Sequence, residues 1–349
     1  MRLVTLGATG ITVPQNAFGA LPIQRISKKD AVYLLHKAYD GGMLYFDTAR
    51  AYTDSEEKMG EAFGTGYVPR ERIFIATKTH AKTPEGFWKD LHKSLELLKT
   101  DYIDIYQFHM APRCYAPDDG TGMYECMLEA KRQGKIRHIS ITSHKLSIAF
   151  DIVKSGLYAT LQFPFSYLAS EEEIRLVREC ETANIGFVCM KGLAGGLITH
   201  SDAAMAFMTQ YDNALPIWGI QRESELDEWL SYMKNTPEMT DEIHAFIEKE
   251  RRELAGDFCR GCGYCMPCAV DIKINNCNSI SLLLRRAPTE TWLSEEWQNN
   301  MKRIEACIDC RKCVAACPYG LDVPNLLKKN YEDYREVLAK KARDGKVVL

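Results

Sequence analysis

Two sets of residues in this 349-residue chain have the types and spacing to do chemistry. The denser set lies late. Cys259, Cys262, Cys265 and Cys268 stand three apart, and Cys307, Cys310, Cys313 and Cys317 follow, the last directly before Pro318. The second run reads C-x2-C-x2-C-x3-C-P, in which three thiolates on a tight loop hold three irons of a cubane while the fourth, turned away, reaches a second cluster. That cross-over logic assigns Cys259, Cys262, Cys265 and Cys317 to one [4Fe-4S] cluster and Cys307, Cys310, Cys313 and Cys268 to the other, leaving Cys277 spare. The first run departs from the pattern, with only two residues before Cys268 and Ala269 where proline is usual. A pair of zinc sites is the alternative at CxxC spacing, although zinc ribbons have no need of a triply repeated cysteine with a trailing x3-C-P. Disulfides fit less well, because cysteines three apart are poorly placed to bridge their neighbours.

The other set is scattered: Asp47, Tyr52, Lys78 and His109, then Thr142, Ser143, His144, Gln162 and Lys191. What could bring them together is the pattern around them. Between residues 15 and 235 short β-rich apolar runs alternate with longer amphipathic segments, the signature of βα units and a parallel sheet. Strands are expected at Asn16–Gly19, Leu44–Asp47, Ile73–Lys78, Ile103–His109, Ile136–Thr142, Thr160–Gln162, Gly186–Lys191 and Pro216–Gly219. Helices are expected at Ser27–Asp40, Phe87–Lys99 and Glu171–Thr182, and a hairpin over Leu3–Val13. Eight strands in regular steps predict an α/β fold, a closed (β/α)8 TIM barrel with the hairpin plugging its bottom. Each scattered polar residue then ends or follows a strand, on the rim where barrel active sites lie. Singly, any of them could be a cap or a solvated strand end; jointly they describe a site.

The motifs carry a resemblance. Phe-Asp47-Thr-Ala-x-x-Tyr52, then Ser55-Glu56 and Gly60, Ala-Thr-Lys78, Tyr-Ile-Asp-Ile-Tyr-Gln-Phe-His109 and Gly-Lys-Ile-Arg-His-Ile-Ser at 134–140 resemble the aldo-keto reductase superfamily, in order, over about residues 1–235. The resemblance implies that Asp47, Tyr52, Lys78 and His109 are the catalytic tetrad. The chemistry is coherent: a carbonyl becoming an alkoxide needs a proton donor, and a phenol of pKa near ~10 becomes a better one when an ammonium stabilises its anion. Lys78 is expected to lower the Tyr52 pKa, Asp47 to hold Lys78, and His109 to orient the substrate oxygen.

The resemblance further implies a nicotinamide cofactor, with Thr142, Ser143 and Gln162 at the carboxamide and Lys191 to Gly195-Gly196 as the pyrophosphate loop. After Gly219 the chain departs from the family: Glu225 stands where an Arg is expected, and Trp229 replaces an Asn. An acidic Glu225 would repel a 2′-phosphate yet accept from a free ribose hydroxyl, a lean to NADH over NADPH. Arg222 could rescue phosphate binding. No flavin motif is recognisable, so a flavin is unsupported.

The tail is similar to the ferredoxin-type domain appended to one subgroup of aldo-keto reductases. Three segments are therefore expected: a barrel over 1–235, a helical linker over 236–257, and a mainly helical, ferredoxin-like 2[4Fe-4S] domain over 258–349 with a terminal helix over 325–343. The loop Met110–Gly120 is expected to wall the substrate pocket, with Arg113 and Tyr115 as contacts. Hydride transfer moves two electrons and a cubane usually one, so three functions stay open. They are an NAD(P)H-dependent carbonyl/alcohol oxidoreductase wired through its clusters to ferredoxin or another redox protein, a ferredoxin-dependent reductase without nicotinamide, and a redox subunit with the barrel as scaffold. Composition narrows the partners: 44 Lys+Arg against 47 Asp+Glu, net −3, give no basic field for nucleic acid or anionic membrane. The opening Met-Arg-Leu-Val-Thr-Leu-Gly lacks an apolar export core, and no apolar run reaches the roughly 18 residues of a membrane span. A soluble cytoplasmic protein is expected.

Overall fold

The computed structural model describes residues 2–253, 258–259, 261, 263–286 and 292–343. The chain divides into two compact units, Met1–Gly192 with Asp202–Ile243, and Leu193–Ser201 with His244–Leu349.

In the first unit strands β1 (Leu3–Thr5) and β2 (Thr12–Pro14) form an antiparallel hairpin. Eight further strands close a parallel barrel: β3 (Ala17–Gly19), β4 (Tyr45–Asp47), β5 (Phe74–Thr79), β6 (Ile103–Phe108), β7 (Ile136–Thr142), β8 (Thr160–Pro164), β9 (Gly186–Met190) and β10 (Ala214–Gly219). Each pairs with the next, and β10 closes on β3. Hairpin residues Val4, Leu6, Ile11 and Val13 pack in one cluster with the barrel's inward Ala17, Ala76, Val188 and Leu215, so the hairpin fills an end of the barrel. Register sets the rim: Asp47 lies beside Ala76, Lys78 beside Gln107, and Thr142 beside Gln162.

The surrounding helices are α1 (Lys28–Asp40), α2 (Ser55–Phe63), α3 (Pro84–Leu98), α4 (Met123–Arg132), α5 (Leu146–Ser155), α6 (Glu171–Thr182), α7 (Ser201–Met208) and α8 (Glu223–Lys234). Local chemistry marks their ends. Ser27 accepts from Asp30 N to cap α1, and Ser170 with Glu173 makes a capping box on α6. Helix α2, which starts at the active rim, crosses α3 at Gly60, where a Cβ would overlap the Leu97 carbonyl oxygen. Gly60→Ala is expected to destabilise the barrel by about 1–3 kcal/mol, since backbone rather than a flexible side chain must give way. A thermal melt with unchanged Tm would show that the helices can part freely.

The second unit is helical among the described residues: α9 (Asp241–Glu253), α10 (Ile274–Cys277), α11 (Ile280–Arg286), α12 (Glu295–Lys302), α13 (Lys312–Ala316) and α14 (Val323–Arg343). Its core gathers Ile272, Ile280, Met301, Leu327 and Tyr334. Asn330 on α14 accepts from Ser281 N, and the Tyr334 hydroxyl donates to the Trp292 carbonyl, so α14 binds the connection between the two cysteine runs. Among the described residues no helix is long and apolar enough to cross a membrane.

Candidate active site and cluster loops

Four side chains meet at the end of the strands. Lys78, at 1% exposure, donates to Asp47 Oδ1 at 2.5 Å and to the Thr48 carbonyl at 2.7 Å. Asp47 is buried as well and is held by Gln107 Nε2 at 3.3 Å and by Gln162. The Tyr52 ring lies 5.3 Å from Lys78 Nζ and meets the His109 ring edge-on at 5.7 Å. His109 in turn stacks on His80 at 4.1 Å.

Burial dominates the electrostatics. It pushes the Asp47 carboxyl up and the Lys78 ammonium down, and their mutual attraction opposes both shifts. Burial and the adjacent Lys78, His80 and His144 hold the His109 pKa well below its ordinary value, so the imidazole is neutral near pH 7. Burial and the Asp47 charge raise the Tyr52 pKa. This differs from the expectation that Lys78 lowers it. In this geometry the ammonium is spent on Asp47 and the Thr48 carbonyl and faces the phenol ring, so Tyr52 rests as a protonated acid.

The residues expected around a nucleotide fall into three groups. Thr142, Ser143 and Gln162 sit together where β7 and β8 end; Thr142 Oγ1 accepts from Met110 N, Ser143 N donates to the Gln162 carbonyl, and buried Gln162 Oε1 has no partner. Lys191 follows β9 with a left-handed backbone, while Gly195, also left-handed, belongs to the second compact unit. Gly219 ends β10 beside Gly19. Next, Glu225 caps α8: its carboxylate accepts from Gln221 N and Arg222 N at 3.0 Å and from the Arg222 guanidinium at 2.9 and 2.5 Å. The Arg222 side chain, 67% exposed, rests on the carboxylate of its own helix cap. Tyr115 stands in the loop that follows His109. It is 5% exposed, packs on Phe108 at 4.7 Å, and its carbonyl accepts from the Tyr158 hydroxyl, while Arg113 leans on Asp119 at 3.9 Å.

Sequence reasoning missed Gln107, His80 and a buried Glu56. Gln107 had a signal, being a polar residue near the C-terminal end of a β-rich run; exposed His80 had none, because stacking on His109 is purely tertiary.

The cysteines of the tail line two cavities. Cys268, Cys307, Cys310 and Cys313 line one, whose wall Cys265 also joins. Cys259, Cys265 and Cys317 line another; Cys262 lies outside the described residues. Cys277 lines neither cavity: its sulfur donates weakly to the Asn300 carbonyl, and burial pushes its pKa up to about 12. A single zinc ion needs thiolates about 2.3 Å from one point. Among the described residues no three ligating side chains converge in that way.

Comparisons with known proteins follow the two units. Residues 15–206 match the profile described as Aldo/keto reductase family, and residues 258–322 match that of a 4Fe-4S dicluster domain. L-galactose dehydrogenase of Arabidopsis thaliana is 28% identical over 217 residues, 57% of this chain and 68% of that one. An aldo-keto reductase of Klebsiella pneumoniae, solved in complex with NADPH, superposes with a TM-score of 0.60 at 20% identity, over 71% of this chain and 94% of that one. A holo-form aldo-keto reductase of Bacillus halodurans gives 0.62 at 19% identity, over 72% and 96%. At these identities the structural likeness is one of fold.

Proposed function

Since this chain belongs to the aldo/keto reductase family and carries a 4Fe-4S dicluster domain, we propose an oxidoreductase that interconverts a carbonyl and an alcohol on a small molecule with Tyr52 as general acid and base. The observation that carries this reading is the buried Asp47–Lys78 pair set against the Tyr52 ring and neutral His109. In the reducing direction Tyr52 gives its hydroxyl proton to the substrate oxygen. As phenolate character develops, the nearby ammonium becomes its electrostatic partner, and Asp47 keeps that ammonium in place. His109, neutral, has an imidazole N–H with which to orient the same oxygen.

Gln162 supports a nicotinamide here: its partnerless Oε1 could accept from a carboxamide N–H, with Thr142 and Ser143 alongside and Lys191 and Gly219 further along the dinucleotide. Bound there, it supplies or accepts the hydride equivalent. Glu225 supports NADH, because the α8 N-terminus, which would otherwise attract phosphate, already holds a carboxylate. In the tail we assign one [4Fe-4S] cluster to Cys259, Cys262, Cys265 and Cys317 and a second to Cys268, Cys307, Cys310 and Cys313, exchanging electrons with a redox protein such as ferredoxin. We place the protein in a reducing, cytoplasmic setting, where thiols remain available as cluster ligands.

Anaerobic protein titrated with each nucleotide should bind NADH at least tenfold more tightly than NADPH, a gap that Glu225→Gln narrows. Its visible cluster absorption should bleach on adding NADH. Selective NADPH binding would refute the nucleotide preference, and bleaching by dithionite alone would refute the wiring.

A further inference from the structure

We propose that Glu56 is a positioning residue that fixes the Tyr52 loop and the Lys78 strand as one unit, an inference that rests on the acid–base reading above. Glu56 is 1% exposed in the first turn of α2 and takes no part in proton transfer. Its Oε1 accepts from Thr77 Oγ1 on β5 at 2.6 Å and from Ser94 Oγ on α3 at 2.7 Å, and its Oε2 pairs with the Arg50 guanidinium.

The sequence positions of these partners give the network its function. Arg50 and Glu56 bracket Tyr52, so their ion pair clamps the loop that carries the phenol. Thr77 immediately precedes Lys78, so the hydrogen bond to it anchors the strand that carries the ammonium. The backbone repeats the link, because Arg50 N donates to the Lys78 carbonyl at 3.0 Å and Lys78 Nζ donates to the Thr48 carbonyl. A buried network of hydrogen bonds and an ion pair restricts direction as well as distance, which apolar packing does not. Here it sets the distance between a proton donor and the charge that must stabilise its anion.

Loss of the ion pair should therefore reach the chemistry through misplacement, which can cost on the order of 100-fold when reacting groups shift by about 1 Å. Glu56→Gln keeps the acceptor for Thr77 and Ser94 but discards the charge on Arg50. It is expected to lower kcat by about 10- to 100-fold, with KM changed less than about threefold. In a Tyr52→Phe background the same substitution should add nothing to the residual rate, since the group being positioned is gone. Hydrogen exchange should rise at least tenfold across residues 48–56 while α6 keeps its protection. Arg50→Gln, at a side chain 21% exposed, breaks the pair from its wetter side and should reproduce all three results if Glu56→Gln fails to fold.

An unchanged kcat, a loss merely proportional to unfolded protein, or full additivity with Tyr52→Phe would overturn the proposal. If the unsubstituted protein turns over no carbonyl, the acid–base reading fails by itself. The exchange measurement then decides on Glu56 separately, and unaltered exchange across residues 48–56 rejects the anchor.

Discussion

Tyr52→Phe is expected to lower carbonyl turnover by 10²- to 10⁴-fold, about 3–5 kcal/mol of transition-state stabilisation, with no loss of thermal stability. The substitution removes one hydroxyl and keeps the ring, so the edge-on contact with His109 and the place opposite Lys78 survive. Among the described residues no hydrogen bond anchors the side chain through that hydroxyl, whereas the loop is pinned by Ser55 Oγ donating to the Ala20 carbonyl and by Tyr52 N donating to Ala49 O. Lys78 is the less informative position to change. Removing its ammonium would strand a buried Asp47 carboxylate and cost about 3–5 kcal/mol of folding stability, so lost activity and lost structure would coincide. Steady-state rates on a panel of small aldehydes and ketones, with melts of both proteins, check the Tyr52 result. Undiminished turnover in the folded variant would remove Tyr52 from the chemistry.

Cys313→Ser should halve the iron and acid-labile sulfide of anaerobically purified protein. Cys313 lines one cavity with Cys268, Cys307 and Cys310, and a hydroxyl is a poor substitute for a thiolate on iron. The other cavity, with Cys259, Cys265 and Cys317, should keep its cluster. The cross-over assignment makes a sharper demand: Cys268→Ser must remove the same cluster as Cys313→Ser, and Cys317→Ser the other, although Cys268 is nearer in sequence to Cys259. Cys277→Ser should leave the iron content unchanged, because that thiol is buried against the Asn300 carbonyl and lines neither cavity. Full iron in Cys313→Ser, or reduced iron in Cys277→Ser, would break the assignment. Because ligand binding and folding are coupled in small metal domains, the Cys313 variant should also melt its tail at lower temperature.

The barrel was legible because its signals are local. Short apolar runs and the helical spacing of the segments between them placed strands and helices within about three residues of their observed limits, as at Ile136–Thr142 and Glu171–Thr182. Less legible was the packing of the loop after His109, expected to wall the substrate pocket with Arg113 and Tyr115 as contacts. A polar, proline-containing loop says nothing about inward packing, and the Tyr115 ring found its place against Phe108.

By itself, then, the sequence determined which residue types exist at which strand ends and which cysteines share a three-residue pitch. Both are properties of spacing, and spacing survives without coordinates. Only the tertiary structure decided how those groups spend their charge and hydrogen bonds. Lys78 is committed to Asp47 and Thr48, Arg222 to its own helix cap, Glu56 to three partners from 6 to 38 residues away, and Cys268 to the wall shared with Cys307, Cys310 and Cys313. Such commitments depend on which distant segments the barrel and the tail bring within about 3 Å, a distance that periodicity along one strand cannot encode.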